Sequence, residues 1–297
     1  MIDLRALSVR SAFAVVGVSR AGRGGDRNAS ATIVREGVIV TAAHNVPTSA
    51  DSAPQVVRVR FADQREEEGT VTGVSEGLDL AVISVDTRAV TPLDWGAGEH
   101  LDAGTEIAAI AAPGGRARLT PGVVAAVDSR LRTRSGSPVD GVFEHTAPLI
   151  RGASGGPVLD DEGKVVGLNI NRLEGGLYQA VAVDDALRSA IDRLAEGGRV
   201  GQPRLGVTIT PDRKARRMRD AVGLPPVAGV LIAAVADDSP AATAGLERGD
   251  LVIEVDGQPV READDLLLAL RRSDPQLSLT VVHSGTEQRD VSVTLES

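Results

Sequence analysis

The chain has 297 residues, too many for one ordinary domain and too few for three, so its length predicts two domains. A net charge of −9 excludes a protein that binds by tracking phosphates, so we expect no nucleic-acid partner. The chain has no cysteine, which excludes disulfides and thiolate metal sites, and its four histidines show no metal-ligand spacing, so we expect no metal and no cofactor.

The first twenty residues combine basic residues with a short apolar run. Arg5 and Arg10 precede the run at residues 12–18, but Arg20 lies where a signal peptide would carry small residues for cleavage. We therefore interpret the run as the first strand of the first domain. No stretch approaches the roughly 18 apolar residues of a membrane-spanning helix. We expect a cytoplasmic protein with no membrane span, and the alternative is the periplasm or cell envelope.

Residues 1–198 form the predicted first domain, which consists mostly of short apolar runs broken by Gly, Pro and Asp. Residues 31–44 are two β-rich runs joined through Glu36-Gly37, a pattern typical of a hairpin. Strong helical periodicity begins only at 184–198, where Asp184 can cap a helix and Gly197-Gly198 can end it. Further runs, at spacings typical of barrels and sandwiches, are 55–61, 81–86, 106–112, 122–127 and 164–170.

A short linker, 199–204, is predicted to lead into a second domain of residues 205–297. One helical segment of this domain, 239–246, has a Ser-Pro start, and the other, 261–272, is amphipathic with acidic residues at its N-terminal end. The domain is therefore predicted to be α+β. Its predicted strands are 204–210, 229–235, 250–257, 277–283 and 290–295.

Three segments carry the residue types of nucleophilic catalysis. His44 follows an apolar strand, Asp79 stands at the entrance of another, and Ser154 lies in a glycine-rich turn. A serine hydroxyl needs an adjacent base, an imidazole can take and return its proton, and a carboxylate holds the ring in the required tautomer. A tetrahedral oxyanion also needs two fixed N–H donors, which Gly152 and Ser154 can supply. Each segment alone also fits a structural turn, but together and in this order they predict a catalytic triad.

The sequences TAAHNV (41–46), DLAVISV (79–85) and GASGGPV (152–158) resemble the active-site segments of the HtrA (Deg) family of trypsin-like serine proteases. The similarity extends to residues 115–127 and 165–183. The resemblance implies a mainly β protein, in which a trypsin-like double β-barrel protease domain is followed by a small α+β PDZ domain. It implies a serine endopeptidase with His44, Asp79 and Ser154 as catalytic residues and the amides of Gly152 and Ser154 as the oxyanion hole.

Two departures from the family pattern precede the nucleophile. Ala153 stands where the family usually has Asn, and Arg151-Gly152 stands where a Pro-Gly pair is usual. These changes concern the resting shape of the turn rather than the triad chemistry. They motivate an alternative function, a latent or inactive protease that acts as a chaperone or peptide-binding scaffold.

The substrate pocket is expected just before Ser154 and on the strand after it, by analogy with related proteases. No Asp lies at an obvious pocket base, so apolar walls would favour cleavage after small or medium aliphatic residues. An equally good interpretation places Leu149 and Ile150 in the core. The candidate pocket residues are Leu149, Ile150, Asn169, Ile170 and Asn171.

The peptide-binding groove of the second domain is expected at residues 204–210, which resemble the carboxylate-binding loop and strand of bacterial PDZ domains. The amides of Leu205, Gly206 and Val207 would hold a terminal carboxylate, and the peptide would add as a strand beside residues 207–209, which end at Ile209. The predicted facing helix supplies Leu266, Leu267 and Leu270, of which at least one must belong to the core.

The resemblance as a whole implies ATP-independent cleavage of unfolded or damaged proteins, and no nucleotide-binding loop of the type GxxxxGK[ST] is present in the sequence. A peptide-specific signalling protease is a further alternative. Family members commonly form trimers through N-terminal aromatic residues, so we expect a homo-oligomer, a trimer, with Phe13 as the available aromatic residue.

Overall fold

A computed structural model describes residues 2–20, 27–47, 55–88, 90–132, 138–197, 205–223, 227–272, 276–283 and 286–295. The chain divides into two compact units, Met1–Val200 and Gly201–Ser297. The predicted linker 199–204 lies outside the described residues, so the domain limits 1–198 and 205–297 stay predictions. Among the described residues, no helix combines the length and the apolar character needed to span a membrane.

The first unit is built mainly of strands. Its helices are α1 (Leu4–Ser11) and α2 (Asp185–Ala195), and it has 3-10 turns at Ala43–Asn45, Gly98–His100 and Glu174–Gly176. Its strands are β1 (Val15–Arg20), β2 (Arg27–Arg35), β3 (Val38–Ala42), β4 (Val56–Arg60), β5 (Glu66–Ser75), β6 (Leu80–Ser84), β7 (Glu106–Ala111), β8 (Arg118–Arg132), β9 (Pro138–His145), β10 (Pro157–Leu159), β11 (Val165–Arg172) and β12 (Tyr178–Ala182).

These strands close into two barrels of six strands each. The first barrel has the order β1-β2-β3-β6-β5-β4 and the second has the order β10-β11-β12-β9-β8-β7. Each barrel has its own apolar interior, and a third apolar cluster joins the two barrels and α2, with members such as Val40, Leu80, Ile110, Leu168 and Leu194. Strands that meet this third cluster are buried on both faces, which is why β3 and β11 read as nearly continuous apolar runs.

Most predicted elements of this unit are confirmed. The Glu36-Gly37 hairpin joins β2 to β3, with Gly37 at φ +75°, and the carboxylate of Asp184 caps α2 by accepting the Leu187 amide. The strand expected at 12–18 begins only at Val15, because a helix, α1, ends just before it. That helix was not predicted, since it is short and weakly amphipathic, although Asp3 caps it.

The described residues of the second unit form an antiparallel sheet and three helices. Its sheet has the order β13-β14-β15-β17-β18, with β16 added to β15. The strands are β13 (Val207–Ile209), β14 (Val230–Val235), β15 (Leu251–Val255), β16 (Gln258–Pro259), β17 (Gln276–His283) and β18 (Glu287–Thr294), and the helices are α3 (Asp212–Ala221), α4 (Pro240–Thr243) and α5 (Ala263–Arg272). The expected fold class, mainly β with two barrels before an α+β unit, is confirmed.

Helix α3 was not predicted, because five of its ten residues are Arg or Lys and they leave almost no apolar periodicity to recognise. The two predicted helices of this unit are present as α4 and α5. Ser239 caps α4 by accepting the Ala242 amide, as its Ser-Pro start indicated.

Candidate active site

Strand pairing in the first barrel brings His44 and Asp79 together. Strands β3 and β6 are antiparallel with Ala42 opposite Leu80, so the residues just after β3 meet the residue just before β6. The Asp79 carboxylate accepts two hydrogen bonds from His44, one from its backbone amide at 3.0 Å and one from ring Nδ1 at 2.7 Å. A carboxylate only accepts, so the Nδ1 atom carries the proton and Nε2 is left with a lone pair. This is the tautomer that a general base needs.

The nucleophile turn, residues 151–156, is attached to the first barrel through its backbone carbonyls. Ser30 donates its hydroxyl to the Gly152 carbonyl at 2.8 Å and its amide to the Ser154 carbonyl at 3.3 Å. Thr32 donates its hydroxyl to the Gly155 carbonyl at 2.9 Å. Both side chains come from β2 and are fully buried, so these bonds form away from competing water.

Asn45 adds a second attachment beside the catalytic imidazole. Its Nδ2 donates to the Ser154 carbonyl at 3.0 Å and to the Thr41 hydroxyl at 2.9 Å. Thr41 in turn donates to the Ser30 carbonyl at 2.7 Å. The residue that follows the predicted base therefore holds the backbone of the predicted nucleophile.

The second barrel holds the other side of the turn. Gly155 donates its amide to the Asn169 carbonyl at 2.7 Å, and the Gly156 carbonyl accepts the Asn169 amide at 2.9 Å. Gly156 also donates to the Ala153 carbonyl at 2.9 Å. Every carbonyl from Gly152 to Gly156 thus accepts a hydrogen bond from the protein.

The amides of the same turn are left available. The N–H groups of Gly152, Ala153 and Ser154 donate to none of the residues that the structure describes. A backbone whose carbonyls are all bonded while neighbouring amides are open has the character of an anion-binding site. Residues Gly152 and Ser154 are the predicted oxyanion donors, and their assignment to that role stays a prediction.

Two positions in the turn require glycine. Gly152 has φ +88° and an added Cβ would lie 2.6 Å from the Asn28 carbonyl oxygen. Gly155 has φ +87° and an added Cβ would lie 2.3 Å from the Ser30 carbonyl oxygen. Larger residues would therefore push the turn away from β2.

The Ser154 hydroxyl itself donates to the Ile170 carbonyl at 2.8 Å. Within the described part of the chain, no hydrogen bond joins it to His44. Ile170 lies at a register shift between β11 and β12, where Asn169 pairs with Ala180 and Asn171 pairs with Gln179. The bulge leaves the Ile170 carbonyl without a ladder partner and therefore open to the hydroxyl.

The predicted pocket residues have different environments. Ile150 is 36% exposed, whereas Leu149 is partly buried and packs against the apolar interior of the second barrel. Their assignment to the pocket stays a prediction. Asn171 is exposed and donates to Gln179 at 3.2 Å. Asn169 is 2% exposed and its side chain bonds to His145 and Gly156, so it braces the turn, and a pocket-lining role for it is not seen.

No sequence motif predicted Ser30, Thr32 and Asn45 as site residues. The available signal was weak: hydroxyl residues two apart in an otherwise apolar strand share one face, and buried polar side chains need partners. Nothing in the sequence indicated that those partners are the carbonyls of a turn more than a hundred residues away.

The predicted peptide groove of the second unit has an open edge. Strand β13 is the edge of its sheet, and the amides of Leu205 and Gly206 donate to none of the described residues. Gly206 has φ +81° and packs so closely on Ser239 that a Cβ would lie 2.2 Å from its Cβ. The carboxylate-binding role of Leu205, Gly206 and Val207 stays a prediction.

The leucines of α5 do not form one continuous wall. Leu266 and Leu270 are 2% and 4% exposed and belong to the core of the unit, whereas Leu267 is only partly buried. Val207 and Ile209 on β13 are also partly buried. Any groove contact made by α5 would therefore depend most on Leu267.

Comparisons with known families agree with both units. The trypsin-like peptidase domain family matches residues 29–168, and the PDZ domain family matches residues 231–282. A solved structure titled as the HtrA-type protease AlgW with a decapeptide superposes with a TM-score of 0.79, covering 100% of this chain and 99% of that chain at 22% identity. At this identity the likeness shows a shared fold.

Two curated relatives extend the comparison to sequence. The probable periplasmic serine endoprotease DegP-like of Halomonas elongata is 35% identical over 272 residues, which cover 89% of this chain and 55% of the relative. The chain thus spans about half the length of that protein. The putative serine protease HhoA of Synechocystis sp. is 33% identical over 277 residues, which cover 84% of this chain and 68% of the relative.

The expected cytoplasmic location is wrong, because the Halomonas relative and others like it are named periplasmic endoproteases. The expectation failed because targeting segments act separately from the fold, so the residues of the folded domains carry no mark of the compartment. The match to HhoA spans both units at an identity that shared fold alone does not explain, and this chain belongs to the HtrA (Deg) family of serine proteases.

Proposed function

We propose that this chain is a serine endopeptidase that hydrolyses protein substrates without ATP. The observation that carries the proposal is the pairing of His44 with Asp79 beside a turn whose carbonyls are all bonded and whose amides are open. A protein with no hydrolytic role has no use for a histidine held as a base and open amides next to one serine.

The reaction follows from these positions. Ser154 turns from the Ile170 carbonyl towards His44, whose Nε2 takes the hydroxyl proton as Oγ attacks the scissile carbonyl. The oxyanion that forms is bound by the amides of Gly152 and Ser154, and the imidazolium is stabilised by Asp79. The proton then passes from His44 to the leaving amine as the C–N bond breaks, which leaves the acyl group as an ester on Ser154 Oγ. Water attacks this ester while His44 takes its proton, and the proton returns to Oγ as the acyl group leaves as a carboxylic acid.

Substrate preference follows from apolar side chains near the turn. The partly exposed Leu149 and Ile150 favour small or medium aliphatic residues before the scissile bond, with discrimination of about 1–3 kcal/mol per methylene. The Ile170 carbonyl, once released by Ser154, can accept an N–H of the bound peptide. Extended, unfolded or damaged chains present such backbone groups, so we propose a role in protein quality control under stress.

The second unit is proposed to bind substrate C-termini or extended segments at the β13 edge. The open amides of Leu205 and Gly206 and the unpaired edge of β13 support this role. The relatives named periplasmic support a periplasmic location for the whole protein.

A second candidate function is a latent or inactive protease that acts as a chaperone or peptide-binding scaffold. The hydrogen bond from Ser154 to Ile170 favours it, because a hydroxyl held by a carbonyl is not activated by an imidazole. A serine hydroxyl can turn towards the base when substrate binds, so the intact pairing of His44 with Asp79 favours the enzyme.

Removing the triad groups should abolish hydrolysis. Ser154→Ala and His44→Ala should lose casein cleavage, and Asp79→Asn should lower kcat by about ten thousandfold because the ring loses its required tautomer. Ser84→Ala, at an exposed position on β6, is the matched control and should keep full activity. Casein hydrolysis measures the activity of each variant, and labelling by a fluorophosphonate probe measures the reactivity of Ser154.

Undiminished cleavage by purified Ser154→Ala would contradict the proposed enzyme. Wild-type protein that binds unfolded chains but is neither labelled nor active would support the scaffold instead.

Peptide binding by the second unit should require a free terminal carboxylate. In Ser154→Ala protein, a labelled peptide ending in Val should bind about 10- to 100-fold more tightly than its amidated form, because the amides meet a charged acceptor. Leu267→Asp should weaken binding, whereas Val222→Asp, at a 70% exposed position, should not. Fluorescence anisotropy measures these affinities, and equal binding of the amidated peptide would contradict the proposed carboxylate site.

We also propose that the protein forms a homo-oligomer, a trimer, through its N-terminal region. Phe13 is 59% exposed and Val9, on α1, is 71% exposed, which places two large apolar side chains in contact with water.

Substitution of Phe13 by Ala should shift the oligomer towards monomer, because association would no longer bury the aromatic ring. Val222→Ala removes a similarly exposed apolar side chain from the other unit and should leave the assembly unchanged. Sedimentation velocity at matched concentrations measures the distribution. A monomeric wild-type protein would contradict the proposed assembly.

A further inference from the structure

One buried histidine has no part in the proposed reaction. His145 ends β9, is 0% exposed, and directs Nε2 at the Asn169 side-chain oxygen at 2.9 Å. Its other ring nitrogen, Nδ1, is buried and has no hydrogen-bond partner among the residues that the structure describes. An apolar side chain would avoid that uncompensated polar atom, so the site retains an imidazole at a cost in stability. We therefore look for the role of His145 in the hydrogen bond that its Nε2–H group donates to Asn169.

The Asn169 side chain passes this hydrogen bond on to the nucleophile turn. Its Oδ1 accepts from His145, which orients the amide so that Nδ2 donates to the Gly156 carbonyl at 2.9 Å. The Asn169 backbone bonds to the same turn through the Gly155 amide and the Gly156 carbonyl. Asn169 thus makes three hydrogen bonds to the two residues that follow Ser154.

The strand needs this support because it is irregular at this point. The register shift after Asn169 leaves Ile170 outside the β12 ladder, and the Ile170 carbonyl is the acceptor for the Ser154 hydroxyl. A rotation of Asn169 would move both that carbonyl and the turn. The hydrogen bond from His145 on β9 holds Asn169 at the residue where the β11–β12 register shifts.

The ring is fixed from its face as well. Tyr178 stacks on His145 with ring centroids 5.7 Å apart and planes at 22°. The Tyr178 hydroxyl donates to the Leu149 carbonyl at 3.3 Å, in the segment that leads into the turn. His145 therefore contacts residues that reach the turn from both of its ends.

We propose that His145 is a positioning residue, which acts through Asn169 to hold the nucleophile turn in its working shape. This role rests on the proposed endopeptidase function. It predicts that activity depends on a hydrogen-bond donor at the Nε2 position, and that an aromatic ring or an apolar side chain of similar volume cannot replace it.

The matched pair His145→Asn and His145→Gln tests the donor directly. Gln can place its amide nitrogen near the Nε2 position, whereas Asn is one carbon shorter and places it near Nδ1, where no acceptor lies. We expect His145→Asn to lower kcat by about 10- to 100-fold with KM little changed, because the turn is misplaced while substrate contacts remain. His145→Gln should recover most of the loss.

The control is His283→Gln in the second unit, where the ring bonds to the buried Asp250. It removes a comparable side chain far from the turn in sequence and should leave kcat unchanged. Tyr178→Phe, which loses only the hydroxyl, should have a smaller effect than His145→Asn.

Three outcomes separate the proposals. A labelled, active wild type with His145→Asn and His145→Gln both matching it would contradict the positioning role alone. Wild-type protein that neither cleaves nor labels contradicts the endopeptidase, and the positioning role falls with it. Should His145→Asn not fold, kcat of His145→Gln against His145→Leu decides, since Leu keeps the volume and removes the donor.

The same site should make stability depend on pH. Burial lowers the pKa of His145, and the hydrogen bond to Asn169 opposes this only in part. The ring contacts Asn169 from β11, Tyr178 from β12 and Phe143 from its own strand, β9, and Val124 is its register partner on β8; of these four residues, only Tyr178 has a titratable side chain. The unfolded chain therefore takes up a proton at a higher pH than the folded protein does.

The stabilising effect of neutral His145 is complete above the unfolded pKa of about 6.5 and is lost as pH falls towards and through the lower folded pKa. The unfolding midpoint of the first unit should thus fall more steeply from about pH 7.5 to about pH 5.5 in wild type than in His145→Gln. The other histidines are present in both proteins, so their contributions to the pH dependence cancel in the comparison. Parallel pH dependence of the two proteins would contradict a buried neutral imidazole.

Discussion

The hydrogen bonds from β2 to the backbone of the nucleophile turn are the constraint on which the rest of the site depends. Ser30 and Thr32 belong to the first barrel, whereas the turn belongs to the second, so the turn has its shape only where the two barrels are packed together. The apolar cluster between the barrels provides that packing. The predicted triad shares this property, since His44 and Asp79 come from the first barrel and Ser154 lies just before β10 of the second barrel. Neither barrel alone contains the site.

The hydrogen bonds to the carbonyls of the nucleophile turn also fix the direction of its amides. A peptide group is planar, so a carbonyl held on one side directs the following N–H to the other. Because the carbonyls of Gly152 and Ala153 accept hydrogen bonds from the protein, the amides of Ala153 and Ser154, which share those peptide planes, are held in directions where they bond to none of the described residues. The departures at Arg151 and Ala153 do not alter these contacts, because the contacts are made by the backbone of the turn. The side chain at 153 is a buried methyl group that takes no part in them.

Elements that are specified by neighbouring residues could be predicted from the sequence, whereas contacts between residues far apart in the chain could not. Strand runs, the Asp184 cap and the Glu36-Gly37 hairpin are specified by neighbouring residues, and each formed as expected. Helices α1 and α3 were missed because one is short and the other is mostly charged. The three triad residues were recognisable because each lies in a distinctive segment. The roles of Ser30, Thr32 and His145 could not be recognised in the same way. The role of a polar residue in a buried strand depends on its hydrogen-bond partner, and each partner here lies far along the chain.

Histidines 44 and 145 illustrate how the partner decides what an imidazole can do. Each ring donates a hydrogen bond from one nitrogen, but His44 donates from Nδ1 to a carboxylate and His145 donates from Nε2 to an amide oxygen. A carboxylate stabilises the imidazolium, so His44 can accept a proton during a reaction and return it. An amide oxygen offers no charge to a buried cation, and the free nitrogen of His145 has no acceptor to receive an added N–H. His145 is therefore suited to stay neutral and keep one hydrogen bond through every step of the proposed reaction, in which the proton transfers are assigned to His44.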